Sequence, residues 1–222
     1  SQTVRDTVTE WLQTVRPDRA PAVRLGNFPL GGDHTEPPEA GRTPEPVMGL
    51  PDDGRVFVIV GTIEPRKRHQ QVLDAFEHHW AAGYSDTLVI VGREGWDELP
   101  DDWRRDIPET IARLTDHPER DRRLLWLDRL DDAQLETVYQ RADALIAASE
   151  DEGYGLPVVE ASLRGVAVLA RDIPVFREVA PSETRFFEGL DGASLAAAIE
   201  QFIADPPAPP APGKTAAAVD WR

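Results

Sequence analysis

Val56-Phe57-Val58-Ile59-Val60, closed by Gly61, and Leu88-Val89-Ile90-Val91, closed by Gly92, decide how this chain folds. A strand with one face in water alternates apolar and polar residues. These runs do not alternate, so they read as strands covered on both faces. Between them, from about Lys67, the residues Val72, Leu73 and Phe76 fall on one side of a helix. The same rhythm continues outward: a helix near Trp103 to Leu114, a strand at Leu124 to Leu127, a helix at Ala133 to Arg141 and a strand at Ala144 to Ala147. A helix at Val158 to Leu163, a strand at Val166 to Ala170 and a helix at Leu195 to Ile203 complete it. Strands alternating with helices need right-handed crossovers, so the expected fold is α/β with a doubly wound parallel sheet. Ligands of such sheets lie beyond the carboxyl ends of the strands. That directs attention to Gly61 to Arg68, Gly92 to Trp96, Asp128 to Leu130 and Ser149 to Pro157.

The flanks read differently. Gln2 to Val15 carries Val4, Val8, Trp11, Leu12 and Val15 at helical spacing and is stopped by Arg16-Pro17. A short apolar piece, Ala22 to Leu25, precedes a stretch rich in Gly, Pro and charge, so residues 34–55 read as a loop or linker. Residues 56–205 form the expected domain. Pro206-Pro-Ala-Pro-Pro-Ala-Pro212 is a stiff linker, and residues 206–222 form a tail.

Lys and Arg number 24 against 40 Asp and Glu, a net charge of −16. Nucleic acid and anionic membrane are thereby poor partners for the surface as a whole, and an anionic substrate needs a local basic pocket. The absence of cysteine excludes disulfides and thiolate metal sites. With no apolar run of membrane-spanning length and no leader pattern, a cytoplasmic location is expected.

Two stretches concentrate the chemistry. In Glu64-Pro65-Arg66-Lys67-Arg68, the proline can open a helix, which places three cations near its first turn. Cations there oppose the helix dipole and one another, an arrangement that a bound anion would relieve. In Glu152-Gly-Tyr-Gly-Leu-Pro-Val-Val-Glu160, two glycines flank Tyr154 and Pro157 suits a first helical turn. No side chain at Leu156 can cap that helix, so its amides are free to hold a phosphate, and the glycines let backbone approach closely. Glu152 and Glu160 bracket this loop. Each alone is as well explained by a solvated turn or by dipole compensation, but as a pair they suit sugar and ribose hydroxyls, which are donors.

The Glu152 to Glu160 string resembles the Glu-x7-Glu motif of retaining GT-B glycosyltransferases of family 4. The resemblance extends through Val60 to Lys67, Leu135 to Asp143, Ala161 to Gly165 and Asp172-Ile-Pro-Val-Phe-Arg-Glu178. Gly61 to Lys67 and Asp172 to Glu178 look most like bacterial mannosyltransferases of polysaccharide assembly. The resemblance implies the Rossmann-like C-terminal half of a GT-B fold, which binds the nucleotide-sugar donor. Residues 1–33 then resemble the end of the acceptor domain and the crossing from it.

By position, the resemblance implies that Glu152 contacts the donor sugar, Glu160 the ribose hydroxyls and Lys67 the diphosphate. Gly153, Tyr154, Gly155 and Leu156 would offer amides, and Arg129 and Leu130 would lie beside the nucleobase. Many relatives carry an arginine where Thr62 stands here, and Arg66 is the expected substitute. No cofactor or metal is expected, the leaving diphosphate being held by Lys67, Arg66 and amides. GDP-mannose is the family-level expectation for the donor. The acceptor, a saccharide or lipid-linked saccharide, would be reached through a first domain that this chain lacks. The chain alone is thus expected to bind donor and transfer nothing, and membrane contact, at the inner face, is expected only through such further parts.

Other readings compete. For a dinucleotide-dependent oxidoreductase, the third glycine of the fingerprint is replaced by Val158, and Pro157 interrupts it. His78 and His79 point apart on a helix, and no Asp-x-Asp pair is present, which argues against a metal enzyme. His69 reads as part of the basic turn or as a surface residue. A noncatalytic nucleotide-sugar-binding or scaffold module, and a GT-B sugar-nucleotide epimerase, remain as alternatives.

Overall fold

A computed structural model describes residues 1–28, 30, 47, 49–51 and 54–211. The expected connection at 34–55 and the tail beyond 211 fall largely outside the described residues. Residues 206–211 adopt no regular structure.

Six parallel strands form one sheet among the described residues: β1 (Val56–Val60), β2 (Thr87–Val91), β3 (Leu124–Leu127), β4 (Ala144–Ala147), β5 (Ala167–Arg171) and β6 (Arg185–Phe187). Their spatial order is β3-β2-β1-β4-β5-β6. The order reverses between β1 and β4, so the crevice for a ligand opens beyond the carboxyl ends of those two strands. The helices are α1 (Gln2–Val15), α2 (His69–Ala81), α3 (Ile107–Asp116), α4 (Asp132–Arg141), α5 (Leu156–Leu163), α6 (Pro174–Val179) and α7 (Gly192–Ala204).

The unbroken apolar strands serve two cores. Phe57 and Ile59 of β1 join Leu73 and Phe76 of α2, Ile107 of α3 and Ile199 of α7 on one face. Val56 and Val58 join Val138 of α4, Val158 of α5 and Phe176 of α6 on the other. Phe57 is fully buried, with ring centroids 5.7 Å from Phe76 and 6.0 Å from Phe202, both edge-on. Truncating it would remove dispersion and apolar burial together and leave a cavity. Phe57→Ala is expected to destabilise the domain by about 3–5 kcal/mol, read from its urea midpoint.

Strand limits agree with the sequence reading to within a residue at β1, β2, β3, β4 and β5. The differences are local. The helix expected from about Lys67 begins at His69 as α2, preceded by a 3-10 turn, Pro65–Lys67, from which Arg68 in the left-handed region at φ 58° separates it. The helix expected from Trp103 likewise divides into a 3-10 turn, Asp101–Trp103, and α3. Six residues of α6 and three of β6 were too short to show a period of their own. His69 is neither exposed nor part of a solvated turn: it is 2% accessible, and burial followed by the nearby Lys67 charge lowers its pKa to about 3. It is neutral. The two adjacent histidines do point apart, His78 outward and His79 inward against Asp86 at 2.7 Å.

Candidate functional site

The loops after β1 and β4 meet because β1 and β4 are neighbours in the sheet. A backbone bond from the Glu150 N–H to the Arg66 carbonyl, 2.9 Å, locks them together. Gly61 ends β1 at φ 144°, and a Cβ there would lie 3.2 Å from the Lys67 Cε and Nζ. The bare glycine therefore lets the Lys67 stem lie across the strand end, aimed at β4's loop.

Lys67 is buried, and its ammonium is paired with Glu152 Oε1. The same oxygen accepts from Ser149 Oγ at 2.8 Å. Glu152 Oε2 accepts from Arg66 NH1 at 2.8 Å, while Arg66 Nε donates to Glu64 Oε2 at 3.0 Å. Burial works to raise the Glu152 pKa, but Lys67, Ser149 and Arg66 hold the carboxyl below its ordinary range. A depressed carboxylate pKa means that the cluster's contribution to stability is present above the ordinary range and is lost as pH falls through the lower folded value. Desolvation opposes the Arg66 charge, yet Glu152 and Glu64 raise its pKa. Both expected cations and the first motif glutamate thus form one ionic cluster.

Immediately beyond it, Gly155 takes the left-handed conformation at φ 84°, where its missing Cβ avoids Phe176 ring atoms that would lie 3.1 Å away. It is the N-cap of α5 and supplies no side-chain bond. The N–H groups of Gly153, Tyr154, Gly155 and Leu156 donate to no acceptor among the described residues. Four amides without an acceptor among the described residues, with Lys67 beside them and Arg66 on the other oxygen of Glu152, suit a doubly charged, multi-oxygen anion.

Glu160 lies one turn along α5 and accepts from the Tyr139 hydroxyl at 2.8 Å. Burial first, then the Glu160 charge, raise the Tyr139 pKa well above normal, so the phenol stays a donor. Arg129 is exposed and Leu130 half-buried against the second core, both on the loop after β3. The sheet order places that loop two strands from β1.

The other wall of the crevice comes from the front of the chain. Ser1 Oγ donates to the Gly153 carbonyl at 2.8 Å, and the Tyr154 hydroxyl donates to the Leu30 carbonyl at 2.9 Å. The α1 amides of Gln2 and Thr3 donate to Glu178 at 2.7 and 2.9 Å, so Glu178 of α6 caps that helix. Between these walls lies a cleft of about 700 Å³ lined by Lys67, Glu152 to Pro157, Val4, Arg5 and Phe28 among others. Arg66, Arg129, Leu130 and Glu160 do not line it. Ser149, Tyr139 and Glu178 all stood within stretches singled out in the sequence, Ser149 to Pro157, Leu135 to Asp143 and Asp172 to Glu178, but none had a role attached.

Comparison with known proteins gives this arrangement a family. The profile of glycosyl transferases group 1 matches residues 44–219, and the chain belongs to that family. Over 218 residues the chain is 35% identical to the serotype-specific mannosyltransferase WbdA of Escherichia coli, covering 92% of this chain and 24% of that protein. It is 26% identical over 144 residues to the O-antigen chain mannosyltransferase RfbU of Salmonella typhimurium, covering 65% of this chain and 37% of that one. The chain therefore spans about a quarter of the length of WbdA. Among solved structures, sucrose-phosphate synthase from Thermosynechococcus elongatus superposes with a TM-score of 0.60 at 24% identity, covering 82% of this chain and 44% of that one. A glycosyltransferase from Rickettsia africae gives 0.61 at 18% identity, covering 90% and 52%. The six-stranded parallel sheet is that of one half of a GT-B glycosyltransferase. Among the described residues, no helix is long and apolar enough to cross a membrane.

Proposed function

We propose that this chain is the donor-binding part of a retaining mannosyltransferase of polysaccharide assembly, taking a nucleoside-diphosphate sugar, with GDP-mannose the first candidate. One observation carries the reading: Lys67 and Arg66 share the Glu152 carboxylate beside four amides that have no acceptor among the described residues, at the reversal of strand order. The relatives' names, mannosyltransferases of serotype-specific and O-antigen chains, supply the sugar and the setting. In the reaction proposed, the bond between the sugar's anomeric carbon and the diphosphate breaks. Charge grows on the departing diphosphate, while an acceptor hydroxyl oxygen bonds to that carbon on the same face and passes its proton to the released diphosphate oxygen. Lys67, Arg66 and the amides of Gly153, Tyr154, Gly155 and Leu156 stabilise that charge. Arg66 stands in for the arginine absent at Thr62, a reading supported by its sharing the Glu152 carboxylate with Lys67. Glu160, oriented by Tyr139, takes the ribose hydroxyls, with Arg129 and Leu130 beside the base. The residues proposed to bind donor require no metal.

A thermal-shift and calorimetric panel of UDP-, GDP- and ADP-sugars with their free diphosphates tests this. Binding by one base class is expected, with about 2.7 kcal/mol of added stability at a hundred times its Kd. Silence across the whole panel would instead favour a scaffold role.

A further inference from the structure

Among the described residues the Glu152 carboxylate has three side-chain donors, and they differ in kind. Two are the cations Lys67 and Arg66, which on the proposed reading turn toward a diphosphate when donor enters. The third is Ser149, a neutral hydroxyl, 4% accessible, standing just beyond the end of β4. Its Oγ donates to Glu152 Oε1 at 2.8 Å. A neutral donor held at the end of a central strand has no reason to follow the diphosphate.

We infer that Ser149 is a positioning residue for donor recognition: its hydroxyl keeps the Glu152 carboxylate aimed at the sugar once the diphosphate has drawn Lys67 and Arg66 away. The inference rests on the donor-binding reading above and assigns the sugar-reading part of that site. Without the hydroxyl, a carboxylate relieved of both cations would be free to change rotamer. It would also lose one of the bonds that favour its charged form, so its pKa would rise. At neutral pH, where Glu152 stays ionised, free diphosphate, which does not reach the sugar position, would not register the change.

The test is a pair of titrations of the full chain, with the panel sugar nucleotide bound by the wild type and with its free diphosphate, across pH 4 to 8. Ser149→Ala is expected to weaken the sugar nucleotide about tenfold, the order expected for one hydrogen bond to a charged group. At neutral pH free diphosphate should change by less than about twofold, within the context scatter of such contacts. Sugar-nucleotide affinity should also begin to fall at a higher pH than in wild type. Ser149→Thr, which retains a hydroxyl, should restore affinity and pH profile alike. Equal loss for both ligands, or loss for neither, would overturn the inference while leaving the donor site standing. If the unaltered chain binds no sugar nucleotide, the donor reading fails and this inference with it.

Discussion

Lys67→Met is expected to weaken nucleoside-diphosphate binding by about a hundredfold, the loss of roughly 2.7 kcal/mol from one charge-assisted contact in a sheltered site. Methionine keeps an unbranched stem of similar length, so packing against Gly61 is largely preserved and the missing charge is isolated. The substitution also removes a partner from Glu152, whose remaining side-chain donors among the described residues are Arg66 and Ser149. Stability should therefore fall modestly, by about 1–3 kcal/mol. Calorimetric titration separates the two effects, because melting reports the pair and titration reports the anion. Arg66→Ala should act in the same direction with a smaller effect, since its side chain is 44% exposed and more screened. Affinity within twofold of wild type in Lys67→Met would remove the lysine from the diphosphate site.

Glu152→Gln is expected to act in opposite directions on two ligands. In the absence of donor, the Glu152 carboxylate occupies the cations that a diphosphate needs. Removing its charge eliminates an internal competitor, so free nucleoside diphosphate should bind about tenfold more tightly, a gain of about 1.4 kcal/mol. The sugar nucleotide should gain less or lose affinity, because the amide replaces an acceptor-only group that the sugar hydroxyls require. Glu150→Gln is the control. Glu150 is exposed on the same loop and pairs with Arg68 at 3.1 Å, so neutralising it alters the general field without touching the cluster. Should both substitutions tighten diphosphate equally, the effect is general charge and not local competition.

Most of the fold was legible because both-face burial leaves a local signature. Val56–Val60 and Leu124–Leu127 end where their apolar runs end. The turn at Pro65–Lys67 was legible as basic but not as separate from α2, because nothing in the residue type Arg announces φ 58° at Arg68. Of the site, the Glu152 loop and the two cations could be found from charge and glycine placement. Ser149 opens one of the loops singled out, but its role was not legible, since a serine after a strand is ordinarily a solvated turn residue. Tyr139 and Glu178 were equally silent. Their roles lie in partners 21 residues away for Tyr139 and 176 and 175 away for Glu178.

Residue order by itself determined the class of sheet, its two-sided cover, the acidic surface and the four loops in which a ligand could lie. Only the tertiary structure decided which of those loops meet. Placing β4 beside β1 brings Lys67 and Glu152 into contact across 85 residues of chain. Local periodicity reports which face of a strand is buried, because burial acts on each side chain separately. Strand neighbours are chosen by crossover handedness and the packing of whole layers, which no short window of sequence contains.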